Sequence, residues 1–220
     1  MDIAESPTAS GQPLAGVLIP IKAFTQAKVR LAGVLSNDER RRLATRMAAE
    51  VIRAAGALPV HVVCDDEDVA EWARTQGAEV VWAPGFGLNG AVGYGVEVLA
   101  AAGISRVIVS HADLPLAADL TSLLDLRPNE PASPTPDPPS IDTVTLVPDR
   151  RRDGTNVMVV PAAAGFHFSY GQGSFRSHCE EAARLGLRVR VTEPAELTLD
   201  IDLPSDLALL PSDWRTALPC

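Results

Sequence analysis

Two kinds of apolar pattern alternate along this chain. Short unbroken runs occur at Val17-Leu18-Ile19 with Ile21 and at Val107-Ile108-Val109, and His61 to Cys64 and Glu79 to Trp82 read as further strands, each apolar after its first residue. Runs of this kind suit strands buried on both faces of a sheet. Between them the apolar positions recur at helical spacing. Leu43, Met47 and Val51 follow a Ser36–Glu39 capping box and end at Gly56. The acidic run Asp65 to Asp68 opens a second helix through Trp72, closed by Gly77, and Gly90 to Ala102 is a third. The alternation predicts an α/β fold with a parallel, doubly wound sheet.

The second half changes character. Leu116 to Leu126 reads as a further helix. Thr143 to Val147 and Asn156 to Val160 read as two strands joined by a turn. Phe166 to Gly173 is loop, Phe175 to Leu185 is helix, and Leu187 to Val191 and Leu197 to Ile201 are final strands. One domain over 14–212 is expected. It is flanked by a flexible tail at 1–13 and a C-terminal tail at 213–220, and interrupted by a Pro-rich insertion at 127–141.

Charge narrows the partners. The 220 residues carry a formal net charge of -9, which disfavours nucleic-acid backbones and anionic membranes. No apolar run reaches membrane-spanning length, and the beginning of the chain lacks the pattern of a signal peptide. Cys64, Cys179 and Cys220 are far apart, without metal spacing, and fit a reducing cytoplasm. Lys22 and Lys28 are the only lysines, and both lie in the loop after the first strand.

Four stretches carry candidate chemistry. The first is the loop Lys22 to Leu35, which puts Lys22, Lys28 and Arg30 at a strand's carboxyl end. It has neither the P-loop spacing nor the dinucleotide-binding glycines. A charge pair about 4 Å apart is worth on the order of 4 kcal/mol at an effective dielectric of 20, enough for these groups to hold a triphosphate. The second is Asp113, just past the strand Val107 to Val109, where open α/β sheets bind ligands. Its carboxylate is a candidate ligand for Mg2+ or a cap for the next helix. The third is Gly85 to Ala91, where the amide of Asn89 suits either a nucleobase edge or a helix N-cap. The fourth comprises Gly154-Thr155-Asn156, Tyr170-Gly171 with Ser174, and Asp200-Ile201-Asp202. The hydroxyls of Thr155 and Ser174, with Gly171 permitting close approach, fit a phosphate or a tight turn plus cap. Alternation along a strand would put Asp200 and Asp202 on one face, where a cation could join them, although a cap explains Asp202 as well. His61, His111, His167 and His178 show no triad spacing with a serine or cysteine and receive no role.

Together these motifs resemble one family, the guanylyltransferases of coenzyme F-420 biosynthesis. These act on phosphoenolpyruvate or 2-phospho-L-lactate. The resemblance rests on Pro20-x-Lys22, Ala27-Lys28-x-Arg30-Leu31, Gly87-Leu88-Asn89-x-Ala91, Asp113-Leu114-Pro115, Gly154-Thr155-Asn156, Tyr170-Gly171 with Ser174-Phe175 and His178, and Asp200-Ile201-Asp202. It runs from Val17 to about Leu210. It implies a Rossmann-like fold of the nucleotidyltransferase type, Mg2+ on Asp113, Asp200 and Asp202, and an acceptor phosphate on Thr155, Gly171 and Ser174. It further implies GTP held by Lys22, Lys28, Arg30 and Asn89, with Lys22, Lys28 and Asp113 serving catalysis. The Arg-rich, Ala-rich composition fits a GC-rich genome, where the phosphoenolpyruvate form is expected; 2-phospho-L-lactate is the alternative acceptor. Enzymes making sugar nucleotides or molybdopterin dinucleotides are rivals, but they usually carry a Gly-rich loop after strand one. A binding module without catalysis would be expected to have lost some of the acids, and all are present.

Overall fold

A computed structural model describes residues 15–124 and 142–216. The expected tail 1–13 and insertion 127–141 lie outside the described residues. Seven strands form one sheet: β1 (Ala15–Pro20), β2 (Val60–Cys64), β3 (Glu79–Trp82), β4 (Arg106–Ser110), β5 (Thr143–Pro148), β6 (Thr155–Pro161) and β7 (Arg188–Val191). Their order is β3-β2-β1-β4-β6-β5-β7. Every neighbouring pair is parallel except β4/β6 and β5/β6.

Helices α1 (Asn37–Ala54), α2 (Glu67–Thr75), α3 (Gly87–Ala101) and α4 (Ser174–Arg184) cover the sheet. The Ser36–Glu39 capping box is present at the start of α1. Successive residues of each strand enter opposite cores. Val17, Ile19 and Ile108 pack with α1 and α2, while Leu18, Val107 and Val109 pack with α3 and Ala182 of α4. That is why the strands read as unbroken apolar runs. Gly95 lets α3 lie against β1, since a Cβ there would meet Leu18 Cδ2 at 2.7 Å.

Two expected elements are absent. Leu116 to Leu126 is not an α-helix; a 3-10 turn at Thr121–Leu124 is what forms among its described residues. Asp119 Oδ1 accepts the N–H groups of Thr121 and Ser122, which favours a local turn over a continuous helix. Leu197 to Ile201 is not a strand. Its first two residues, Leu197 and Thr198, close the short helix α5 (Ala195–Thr198), and α6 (Pro204–Leu207) follows. Their carbonyls find partners elsewhere: Leu197 O takes Asn156 Nδ2–H at 3.0 Å, and Thr198 O takes the Arg150 N–H at 3.0 Å. The packed domain also runs past 212. Helix α7 (Ser212–Thr216) places Trp214 in the core cluster with Leu43 and Met47, and Arg46 stacks on its ring.

The reversed direction of β6 positions the site. Ser110 pairs with Val157, and His111 N–H bonds Asn156 O at 2.9 Å. The first residue of β6, Thr155, therefore lies at the same sheet edge as the carboxyl ends of β1 and β4. Among the described residues no helix is long and apolar enough to cross a membrane.

Candidate active site

Lys28 is the centre of the site. Its backbone is left-handed, with φ 54 and ψ 39, a conformation that costs a non-glycine residue of order 1–3 kcal/mol. The 3-10 turn Val29–Leu31 that follows is anchored by fully buried Leu31. Lys28 Nζ donates to Asp113 Oδ2 at 2.5 Å and to Asp202 Oδ1 at 2.9 Å. Arg30 Nη1 approaches Asp202 Oδ2 to 3.9 Å from the exposed side. Lys22 is exposed and takes no part in this cluster.

Burial by itself would lower the Lys28 pKa; Asp113 and Asp202 outweigh it, so the ammonium is held above the usual lysine range. Burial likewise works to raise Asp113, but Lys28 and then His111 override it and keep the carboxylate ionised. Asp200 has no such partner. Burial, then the charges of Asp113 and Asp202, push it up to about 6. One buried oxygen on each of Asp113 and Asp200 has no hydrogen-bond partner.

Among the described residues no three His, Cys, Asp or Glu side chains are grouped so as to hold a metal ion by themselves. Mg2+ does not require such a group, since it commonly binds one or two carboxylates together with substrate phosphates. Two partnerless carboxylate oxygens beside a cation-neutralised pair fit such an ion. Asp202 is not a helix cap. Fully buried Asp206 does that work: Oδ2 accepts the N–H groups of Asp202 at 3.0 Å and Leu203 at 2.7 Å. Asp206 also pairs with Arg150 and Arg151. The Asp202 carboxylate is thereby left to Lys28 and Arg30.

Across the β4/β6 boundary, Thr155 and Ser174 meet. Gly173, with φ 72, is the N-cap of α4, so Ser174 is the first helical residue rather than the cap. Ser174 Oγ accepts the Thr155 N–H at 3.1 Å. His178, one turn later on the same face, has Nδ1 at 3.0 Å from Thr155 Oγ1. Gly171 is exposed, with φ +132, and a Cβ built there meets nothing within 4 Å. Its constraint is conformational, and the space beside it is open.

Asn89 is not the helix N-cap that was one of its two expected roles. It lies inside α3, whose N-cap is Phe86. Its Oδ1 accepts the Tyr170 N–H at 2.7 Å and its Nδ2 donates to Tyr170 O at 3.4 Å. Both amide atoms thus fasten α3 to the Tyr170–Gly171 loop. The Tyr170 ring joins the two sides of the site, with His111 at 5.0 Å and His178 at 4.9 Å between ring centroids. Sequence reasoning missed both histidines. For His178 the signal was available: it stands four residues after Ser174 on a predicted helix.

Comparison with known proteins agrees with this architecture. The model of the "Guanylyl transferase CofC like" family matches residues 15–211. A phosphoenolpyruvate guanylyltransferase of Rubrobacter xylanophilus is 36% identical over 88% of this chain and 91% of its own length. A 2-phospho-L-lactate guanylyltransferase of Methanothermobacter thermautotrophicus is 34% identical over 86% of this chain and 81% of its own. Among solved structures, a nucleotidyl transferase of the same archaeon is similar in fold, with TM-score 0.61 and 14% identity over 93% of this chain and 99% of its own.

Proposed function

The chain belongs to the CofC-like guanylyl transferase family, and we propose that it transfers GMP from GTP to the phosphate of phosphoenolpyruvate. The products would be enolpyruvoyl-2-diphospho-5'-guanosine and pyrophosphate, a step of coenzyme F-420 biosynthesis. Relatives named for phosphoenolpyruvate and for 2-phospho-L-lactate both match over most of the chain. The Arg-rich composition favours the first acceptor. Cysteine usage supports a cytoplasmic setting.

The observation that carries the proposal is the shared sheet edge. The Lys28–Asp113–Asp202 cluster lies past the ends of β1 and β4, and Thr155, whose N–H the Ser174 hydroxyl of α4 accepts, opens β6 at the same end of the sheet. A phosphate oxygen of the acceptor attacks the α-phosphorus of GTP. The new O–P bond forms as the bond to the α,β-bridging oxygen breaks and pyrophosphate leaves. The nucleophile is already anionic at neutral pH, so no general base is required. The protein's task is positioning and charge neutralisation.

Thr155, Ser174 and the exposed backbone at Gly171 would hold the acceptor phosphate. Lys22 and Arg30 are exposed, Arg30 next to Asp202, and would meet the triphosphate. Lys28 would turn from its acids toward the phosphates. Asp113, Asp200 and Asp202 would hold Mg2+, which when bound neutralises charge on the reacting and leaving phosphates. The test is mass spectrometry of products from GTP with each acid offered separately. The guanylylated phosphoenolpyruvate adduct is expected at the higher kcat/KM. Product from phospholactate alone would move the assignment to the second acceptor. No adduct with either acid would refute guanylyl transfer to these acceptors.

A further inference from the structure

His178 is fully buried on α4, among Phe166, Tyr170 and Thr155. It carries out no step of the transfer proposed above, yet its hydrogen bonds decide which way a proton points. The Ser169 backbone N–H lies 3.1 Å from His178 Nε2. A backbone N–H can only donate, so Nε2 must present its lone pair. A neutral imidazole has one proton, which is then on Nδ1. Burial, reinforced by His111, pushes the pKa of His178 down to about 4, so the ring is neutral at ordinary pH.

Nδ1 lies 3.0 Å from Thr155 Oγ1. With the proton on Nδ1, the histidine donates and the threonine oxygen accepts. The hydroxyl proton of Thr155 cannot also occupy that line, so it is available to another acceptor. Ser174 is in the same condition: its Oγ accepts the Thr155 N–H at 3.1 Å, which leaves its own proton available. The opposite tautomer would draw the Thr155 proton onto Nδ1 and turn a lone pair toward any incoming anion. One backbone N–H at Ser169 thus sets the donor polarity of a hydroxyl on another element.

We propose that His178 is a positioning residue that, as its Nδ1–H tautomer, fixes the Thr155 hydroxyl as a hydrogen-bond donor to the acceptor phosphate. This rests on the reading above that Thr155 touches that phosphate. A charge-assisted hydrogen bond is at stake, so its loss corresponds to about tenfold or more in acceptor affinity.

Two amide replacements separate the two nitrogens. His178→Gln can keep an oxygen near Nε2 for the Ser169 N–H but loses the donor to Thr155. His178→Asn can keep an N–H near Nδ1 but loses the acceptor. Each removes one buried hydrogen bond, so both should be less heat-stable than wild type. Only His178→Gln should raise KM for phosphoenolpyruvate about tenfold with KM for GTP unchanged, and His178→Asn should recover most of that loss. Equal KM values for the two variants would overturn the proposal and leave His178 a packing residue. Thr155→Val distinguishes failure of the underlying reading. If it leaves KM for phosphoenolpyruvate and for 2-phospho-L-lactate unchanged, the acceptor lies elsewhere and this role falls with it. If Thr155→Val weakens the acceptor and His178→Gln does not, this inference alone fails. Imidazole 15N spectra of the unaltered protein give a direct check that needs no variant. A protonated Nδ1 at His178 is expected, and a protonated Nε2 would overturn the tautomer.

Discussion

Replacing Lys28 by methionine should destabilise the protein in a way that magnesium repairs. Methionine keeps roughly the length of the side chain and meets the same left-handed backbone, so the strain at position 28 largely cancels. What is lost is the cation between Asp113 and Asp202. Removing one partner from a fully buried pair costs about 3–5 kcal/mol. Here the side chains are 10% exposed at Lys28, 21% at Asp113 and 41% at Asp202. Solvent screens the last of these, so the low end applies, about 3 kcal/mol. For a chain of this size that is a fall in Tm of roughly 6–12 °C. The assay is thermal unfolding in EDTA, then with increasing Mg2+. The ion should raise the Tm of the variant more than that of wild type, because it neutralises acids left without a partner. Calorimetric titration should show GTP affinity falling more than acceptor affinity. A variant Tm within about 2 °C of wild type in EDTA would refute the reasoning, since the ammonium would then not be holding the acids together.

Asp113→Asn should abolish guanylyl transfer with the fold retained by circular dichroism; near-normal turnover would remove Asp113 from the chemistry. Ser174→Ala leaves the buried Thr155 N–H without its acceptor and should cost about 1–3 kcal/mol in denaturant melts, alongside a rise of about tenfold in acceptor KM. A stability loss with acceptor KM unchanged would make the hydroxyl purely a tie between α4 and β6. Two of the shifted groups act on the pH dependence of stability in opposite senses. His178, lowered to about 4 from an ordinary 6.5, binds fewer protons folded than unfolded, so stability is lost as pH falls from 6.5 toward 4. Asp200, raised to about 6 from 3.8, binds more protons folded, so its contribution is present below 3.8 and lost as pH rises through 6. Between about pH 4 and 6 the two slopes largely cancel. In EDTA, urea melts of His178→Gln should expose the Asp200 slope as stability that rises on acidification relative to wild type. Parallel curves for the two proteins would rule out a depressed His178.

The strands of the first half of the chain and the opening of α1 were legible because their signals are local. Apolar runs and the Ser36–Glu39 box are properties of neighbours in sequence. Asp113 at the end of β4 was legible for the same reason, since strand ends are where such sheets bind ligands. Leu116 to Leu126 was misread for a local reason, the turn made by Asp119; the other misreadings are choices between partners that only the fold brings together. Alternation suggested a strand at Leu197 to Ile201, but Asn156 and Arg150 take its carbonyls. A cap explained Asp202 as well as a cation site did, and only the fold shows that Asp206 takes the backbone and Asp202 the lysine. Asn89 could not reveal that its partner was Tyr170, 81 residues away. His178 was passed over because a search for nucleophile triads asks the wrong question of a histidine that serves a hydroxyl.

The Asn89 fastening has a thermodynamic consequence. α3 packs against β1, β2 and β4, whereas the Tyr170–Gly171 loop belongs to the other half of the chain, and two hydrogen bonds tie them together. A ligand that displaces the first turn of α3 must therefore alter the loop's affinity for its own ligand. Linkage makes that influence mutual: whatever factor one substrate imposes on the binding of the other is returned unchanged. Asn89→Ala should then show up less in either affinity alone than in the ratio between each affinity measured with and without the second substrate, a ratio that would move toward one.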